Sequence, residues 1–168
     1  VQTLTDNIVG TGLRLASTPD YRALNKSKEW ADDWAREVET AWKSWADSTD
    51  CDASQSLNFA GLTSLIFRST IINGEALALP LWLENNNSKF ATAIQLIEAD
   101  RLSNPNGIND SKKLRSGIEI NKYGAPIAYH IRKSHPGDAY LISAVDNNWQ
   151  RITARTKFGR ARVLHIHD

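Results

Sequence analysis

Two period-two runs, Ile118/Ile120 and Ile127/Tyr129/Ile131, flank the connection Lys122-Tyr123-Gly124-Ala125-Pro126. Alternation sends successive side chains to opposite faces of a strand, and a connection with Gly and Pro turns the chain back on itself. Residues 118–133 are therefore expected to form a β-hairpin. Tyr129 and Ile131 share one face of it, which sends His130 and Arg132 to the other. Because His130 lies in this hairpin and His135 just after it, its reading decides between catalysis and architecture.

The rest of the second half carries the same signature. Residues 91–97 alternate, and 98–102 lead into a turn-rich connection, 103–110, that contains Asn104-Pro105-Asn106-Gly107. Residues 139–145, 149–154 and 162–167 supply further short extended runs, separated by Asp146-Asn147-Asn148 and Phe158-Gly159. Residues 76–83 form an apolar run after Glu75, broken by Pro80, and are expected to be a buried or edge strand.

The first half is helical. After Ser27, residues 28–47 place Trp30, Trp34, Val38, Ala41, Trp42 and Trp45 at helical spacing on one stripe. Asp33, Arg36, Glu37 and Lys43 occupy the opposite face. A stripe with four tryptophans admits a carbohydrate- or base-stacking module, but core or subunit interface is the simpler use, since each indole buries roughly 150–250 Å². A second helix with Leu57, Gly61, Leu62, Leu65, Ile66 and Ser69 on its buried side is expected to end at Asn73-Gly74. The expected class is α+β: amino-terminal helices packed on an antiparallel β-sheet and hairpin region. Residues 1–74 form a mainly helical subdomain and 75–168 a mainly antiparallel β subdomain of one compact unit.

Charge divides the same way. Residues 1–100 carry 8 Lys and Arg against 14 Asp and Glu, and residues 101–168 carry 12 against 5. Such asymmetry points to nucleic-acid contact or to complementary packing. The basic residues are spread over hairpins rather than clustered, which favours packing within the chain or between neighbours. No apolar run approaches the roughly 20 residues that span a bilayer as a helix. The single Cys51 has no intrachain disulfide partner and fits a reducing compartment, as a small buried residue rather than a reactive thiol. A helix end over 1–9 stopped by Gly10-Thr11-Gly12, the want of any Met, and a closing strand pattern read as a piece of a longer protein.

Chemistry has few places to hide. His165-x-His167 puts two imidazoles on one face of a strand, and His130 or Asp168 is a conceivable third ligand. No CxxC, HExxH or EF-hand loop accompanies them. Gly10-Thr11-Gly12 lacks the Lys-Ser/Thr ending of a phosphate loop, and there is no G-x-S-x-G elbow. Asp32 and Asp33 are adjacent, so they do not share a helix face. Glu75 and Asp100 suit capping or ion pairing at element ends. Arg132, Lys133, Arg151, Arg155, Lys157, Arg160 and Arg162, near Asp138, offer positive charge to phosphates, without the aromatic interleaving of a stacking platform.

The segments VGTGLRL, CD, LNFAGL, GEALAL, TAIQLIEADRLSNP, GIEINKYGAPIAYHIRKSHPGD and RVLHIHD, in this order, resemble the lambda-type portal proteins of tailed bacteriophages and prophages. The resemblance covers essentially the whole chain. It implies a structural protein with no enzymatic activity, no cofactor and no metal: a ring, typically dodecameric, at one capsid vertex, through which DNA is packaged and ejected. The implied partners are further copies of the chain, the terminase, capsid, scaffold and head-completion proteins, and double-stranded DNA passing without sequence readout, with no membrane. The implied location is the virion, and the bacterial cytoplasm during assembly. The helix-then-sheet order resembles part of a portal wing, with the stem helices, most of the clip and the crown expected beyond residue 168.

A ring joins one face of each subunit to a different face of the next. Glu29, Asp32, Glu37 and Glu39 are the acidic candidates for that contact, and Arg151, Arg155, Arg160 and Arg162 the basic ones. The competing reading is a metal-dependent nucleic-acid-processing enzyme built on the histidines and the basic half.

Overall fold

The computed structural model describes residues 1–84, 88–137 and 148–167. The expected strand at 139–145 lies outside these residues, as do Asp138, Asp146, Asn147 and Asp168. Three helices, α1 (Gln2–Ile8), α2 (Lys28–Asp47) and α3 (Phe59–Asn73), precede or interrupt seven strands: β1 (Glu75–Trp82), β2 (Thr92–Ile97), β3 (Leu114–Arg115), β4 (Ile118–Ile120), β5 (Pro126–Arg132), β6 (Trp149–Thr153) and β7 (Leu164–His167). Short 3-10 turns cover Thr49–Cys51, Ala99–Arg101 and Pro105–Gly107. The α+β class read from the sequence is the class observed.

The chain forms two compact units: residues 1–68 with 81–94, and residues 69–80 with 95–168. In the first, Ser27 caps α2 by accepting the Trp30 N–H at 3.1 Å. The carboxy-terminal part of the tryptophan stripe is core. The Trp45 indole N–H donates to the Thr92 carbonyl at 2.8 Å, and the Trp42, Trp45 and Phe59 rings lie 5.0–5.4 Å apart. The amino-terminal part is open: Trp30 stacks on Trp34 at 5.7 Å, and Trp34 remains 47% exposed.

Helix α3 departs from expectation. It starts at Phe59, because Asn58 caps it by accepting the Gly61 N–H at 3.0 Å, so Leu57 lies outside the helix. Of the six residues expected on its buried side only Leu62 is buried, while Leu57 and Leu65 are exposed. The helix is apolar around most of its circumference, and such a sequence does not specify which face turns inward.

The second unit holds the four-stranded sheet β3-β4-β5-β6. The expected hairpin is its centre: β4 and β5 pair antiparallel, Ile118 opposite Tyr129, with a bulge at Glu119/Ile120. β6 continues the sheet, with His130 opposite Arg151 and Arg132 opposite Trp149. Gly117 (φ +82°) passes so close to Ser103 that an added Cβ would sit 2.6 Å from its backbone nitrogen, which only glycine permits. The second sheet has the order β2-β1-β7. β1 is its central strand rather than an edge, and its pairing with β7 ends at Ala78, two residues before Pro80. Proline's missing N–H therefore falls beyond the β7 ladder.

Candidate subunit-contact surfaces

On α2, Glu29, Asp32 and Glu37 are exposed. The backbone N–H at the helix start and the Ser27 hydroxyl hold the Glu29 carboxyl below the ordinary carboxylate range. Asp33 pairs with Arg36, and Asp47 with Lys43, along the same helix. Glu39 is half-buried and accepts the Ser17 backbone N–H at 2.8 Å, so it fastens the segment before α2 to the helix.

The basic candidates lie in the second unit. Arg151 grips Glu119 with two charge-assisted bonds, from Nε at 2.7 Å and from Nη2 at 2.6 Å. His130 donates its Nε2–H to the same carboxylate at 2.7 Å. The three side chains rise from β4, β5 and β6 on one sheet face, where cross-strand register brings them together. The Arg151 bonds, with help from His130 and against the opposing effect of burial, pull the Glu119 carboxyl down to about 2. The same contact raises Arg151 above its ordinary value. Arg155 donates to the Gly159 carbonyl at 2.8 Å, and Arg162 to the Thr153 hydroxyl at 2.9 Å. Arg155, Arg160 and Arg162 are exposed. Among the described residues Glu29, Asp32, Glu37, Arg155, Arg160 and Arg162 are exposed and make no ion pair, whereas Glu39 is half-buried and Arg151 is paired with Glu119.

Each described histidine is engaged. His165 Nε2 lies 2.7 Å from the Glu75 carboxylate, with Tyr129 edge-on to its ring at 5.7 Å. His167 packs on His165 at 4.5 Å. His135 approaches Asp100 at 3.7 Å and accepts the Gly137 N–H at 2.9 Å. The Glu75 and Asp100 carboxylates each meet a histidine ring. Among the described residues no group of three His, Cys, Asp or Glu side chains is placed to hold a metal ion.

The Glu119–His130–Arg151 and Glu75–His165 contacts escaped sequence reading, since partners 32 and 90 residues apart leave no local pattern. Asp52 did too: buried, its carboxylate accepts from Ser54 N–H, Ser54 Oγ, Ser56 N–H and Leu57 N–H at 2.7–3.1 Å. Burial pushes that carboxyl up, but the four bonds together hold it below the ordinary range. Cys51, fully buried, has its thiol pushed up to about 11 by burial and by neighbouring Asp52.

Residues 1–168 match the family described as phage portal protein, lambda family. Portal protein B of Escherichia phage lambda is 30% identical over 171 residues, which cover 100% of this chain and 31% of that protein. The portal protein of Escherichia phage N15 is 29% identical over 171 residues, again 100% of this chain and 31% of the relative. The chain thus spans about a third of the length of the curated relatives it matches.

Proposed function

The chain belongs to the lambda family of phage portal proteins, and from that membership we propose that it is part of the head–tail connector of a tailed phage or prophage. In this reading copies of the full-length protein form a ring, dodecameric as is typical of portals, at one capsid vertex. DNA is packaged and ejected through it without sequence readout. Terminase, capsid or scaffold protein and head-completion proteins are its partners, in the host cytoplasm during assembly and in the virion thereafter. The order of helices and sheets suits the outer, wing part of such a ring. The reading gives the chain no catalytic role.

The observation that carries the proposal is the family match over residues 1–168. The geometry supports it in kind: six exposed candidate charges, acidic on α2 and basic beyond β6, form two different surfaces, as a head-to-tail contact requires. Glu29, Asp32 and Glu37 of one subunit meet Arg155, Arg160 and Arg162 of the next, while Glu39 and Arg151 shape those surfaces from within. No observation favours the metal-dependent enzyme.

The test is the assembly state of the purified full-length protein, by native mass spectrometry and electron microscopy of negatively stained particles. Closed rings of a single stoichiometry are expected. A protein that stays monomeric over the whole accessible concentration range, or carries stoichiometric zinc or manganese by elemental analysis, overturns the reading.

A further inference from the structure

Two five-residue turns of the second unit are built alike. In residues 121–125, Asn-Lys-Tyr-Gly-Ala, Asn121 Oδ1 accepts the backbone N–H of Tyr123 at 2.8 Å and of Ala125 at 3.0 Å. The Gly124 N–H donates to the Asn121 carbonyl at 3.0 Å, and the Asn121 N–H to the Ala125 carbonyl at 2.9 Å. In residues 156–160, Thr-Lys-Phe-Gly-Arg, Thr156 Oγ1 accepts the N–H of Phe158 at 3.3 Å and of Arg160 at 3.2 Å. The Gly159 N–H donates to the Thr156 carbonyl at 2.9 Å, and the Thr156 N–H to the Arg160 carbonyl at 2.8 Å. Both glycines hold the left-handed conformation that closes the turn, φ +85° and +83°. In each turn the lysine ammonium lies over the aromatic ring, 4.7 Å from the Tyr123 centroid and 4.9 Å from that of Phe158.

The two turns leave the same end of the four-stranded sheet. β5 begins directly after the first turn, and its Ala128 faces Thr153, the last residue of β6. Ala154 then donates to the Ile127 carbonyl at 2.8 Å, and the Arg155–Ala161 bridge carries the chain out into the second turn.

At both tips the ring is almost wholly in water: Tyr123 is 81% exposed and Phe158 85%. A ring so exposed adds nothing to the packing of its own unit, and the hydrogen bonds that close each turn come from the backbone and from Asn121 or Thr156. The turns therefore fix the backbone from which two aromatics extend beside a cation, which lowers the ordering cost of a contact. Buried aromatic anchors of this kind dominate interface energies.

We propose that the two turns are paired docking tips that seat on helix α2 of a second copy of this chain. Charge complementarity selects that occupant. Neither 121–127 nor 154–162 contains an acidic residue, while together they carry Lys122, Arg155, Lys157, Arg160 and Arg162. Helix α2 offers the exposed Glu37 one turn after the half-exposed Trp34 indole, an apolar counterpart for an incoming ring, with the exposed Glu29 and Asp32 on the side of the helix away from that indole. The inference rests on the ring reading above and names the side chains that anchor the contact.

The test uses the full-length protein. The double variant Tyr123→Ala/Phe158→Ala keeps Asn121, Thr156 and both glycines, so its circular dichroism and melting temperature are expected to match the wild type. The concentration at half-assembly is expected to rise by roughly tenfold or more, the loss of one or two interface anchors. The conservative pair Tyr123→Phe/Phe158→Tyr is expected to assemble normally. p-Benzoylphenylalanine at position 123 or 158, irradiated in the assembled protein with phage DNA and anionic phospholipid vesicles present, is expected to form adducts with residues 28–47 of another copy. Adducts with DNA, with lipid or only within the same copy overturn the inference, as does assembly of the alanine pair at the wild-type concentration. In those cases wild-type rings still form and the portal reading stands, whereas a wild type that forms no rings removes both.

Discussion

Glu119 is the residue on which the polar face of the four-stranded sheet turns, since Arg151 and His130 both end on its carboxylate. Its folded-state value near 2 lies below the ordinary 4.5. The ion pair therefore contributes stability that is fully present above pH 4.5 and is lost as pH falls from there through 2. With Glu119 side chain 27% exposed and Arg151 47%, solvent screening reduces the contribution to on the order of 1–2 kcal/mol. Glu119→Gln keeps the shape and removes the charge. Thermal melts are expected to show the variant less stable than the wild type by that amount at pH 7. The gap should narrow steadily below pH 4.5 and close near pH 2. A gap that stays constant across that range would show that the ion pair is not its source.

At the scale of elements, α2 shows how unevenly one stripe is used. Trp45 is 9% exposed and donates to the Thr92 carbonyl, whereas Trp34, three turns earlier on the same stripe, is 47% exposed. Trp45→Phe keeps most of the apolar area but removes the donor to the Thr92 carbonyl, a cost of about 0.5–1.5 kcal/mol. Trp45→Ala adds a cavity and should cost about 3–5 kcal/mol. Trp34→Ala should stay within about 1 kcal/mol in the isolated chain, in keeping with a half-exposed position. Urea unfolding followed by circular dichroism orders the three, and equal losses at Trp34 and Trp45 would contradict the split. The helix itself was legible because apolar and charged residues segregate at its period. The hairpin was legible because its alternation and its glycine agree. α3 was not, since residues such as Phe67, Ile71 and Ile72 leave it no polar face to orient by. The resemblance between Lys122-Tyr123-Gly124 and Lys157-Phe158-Gly159 stood in the sequence. In sequence alone Phe158-Gly159 is punctuation between strands, and only the shared bonding of the two turns makes them alike as structures.

Across the described residues the opposed charges of the two halves become surfaces only where side chains are exposed and make no ion pair within their own unit. Arg151 counted with the basic set in sequence, yet it is spent on Glu119, and Glu39 is spent on Ser17. The proposed contact then falls to the exposed acids of α2 and the arginines beyond β6. Their attraction reaches about 8 Å at physiological ionic strength, so it steers and registers subunits more than it binds them. Arg160→Glu with Arg162→Glu in the full-length protein should then weaken ring formation most at low salt, where the wild type gains most from the attraction. Combining that pair with Asp32→Lys and Glu37→Lys restores opposite charge across the same contact and should recover assembly in part, a coupling that independent surfaces do not show. Ring yield by sedimentation velocity, at about 50 and 500 mM salt, separates the outcomes, because the Debye length shrinks about threefold between them. If the reversed arginines assemble like the wild type at low salt, or the fourfold variant is no better than the double, these charges do not face each other in the ring.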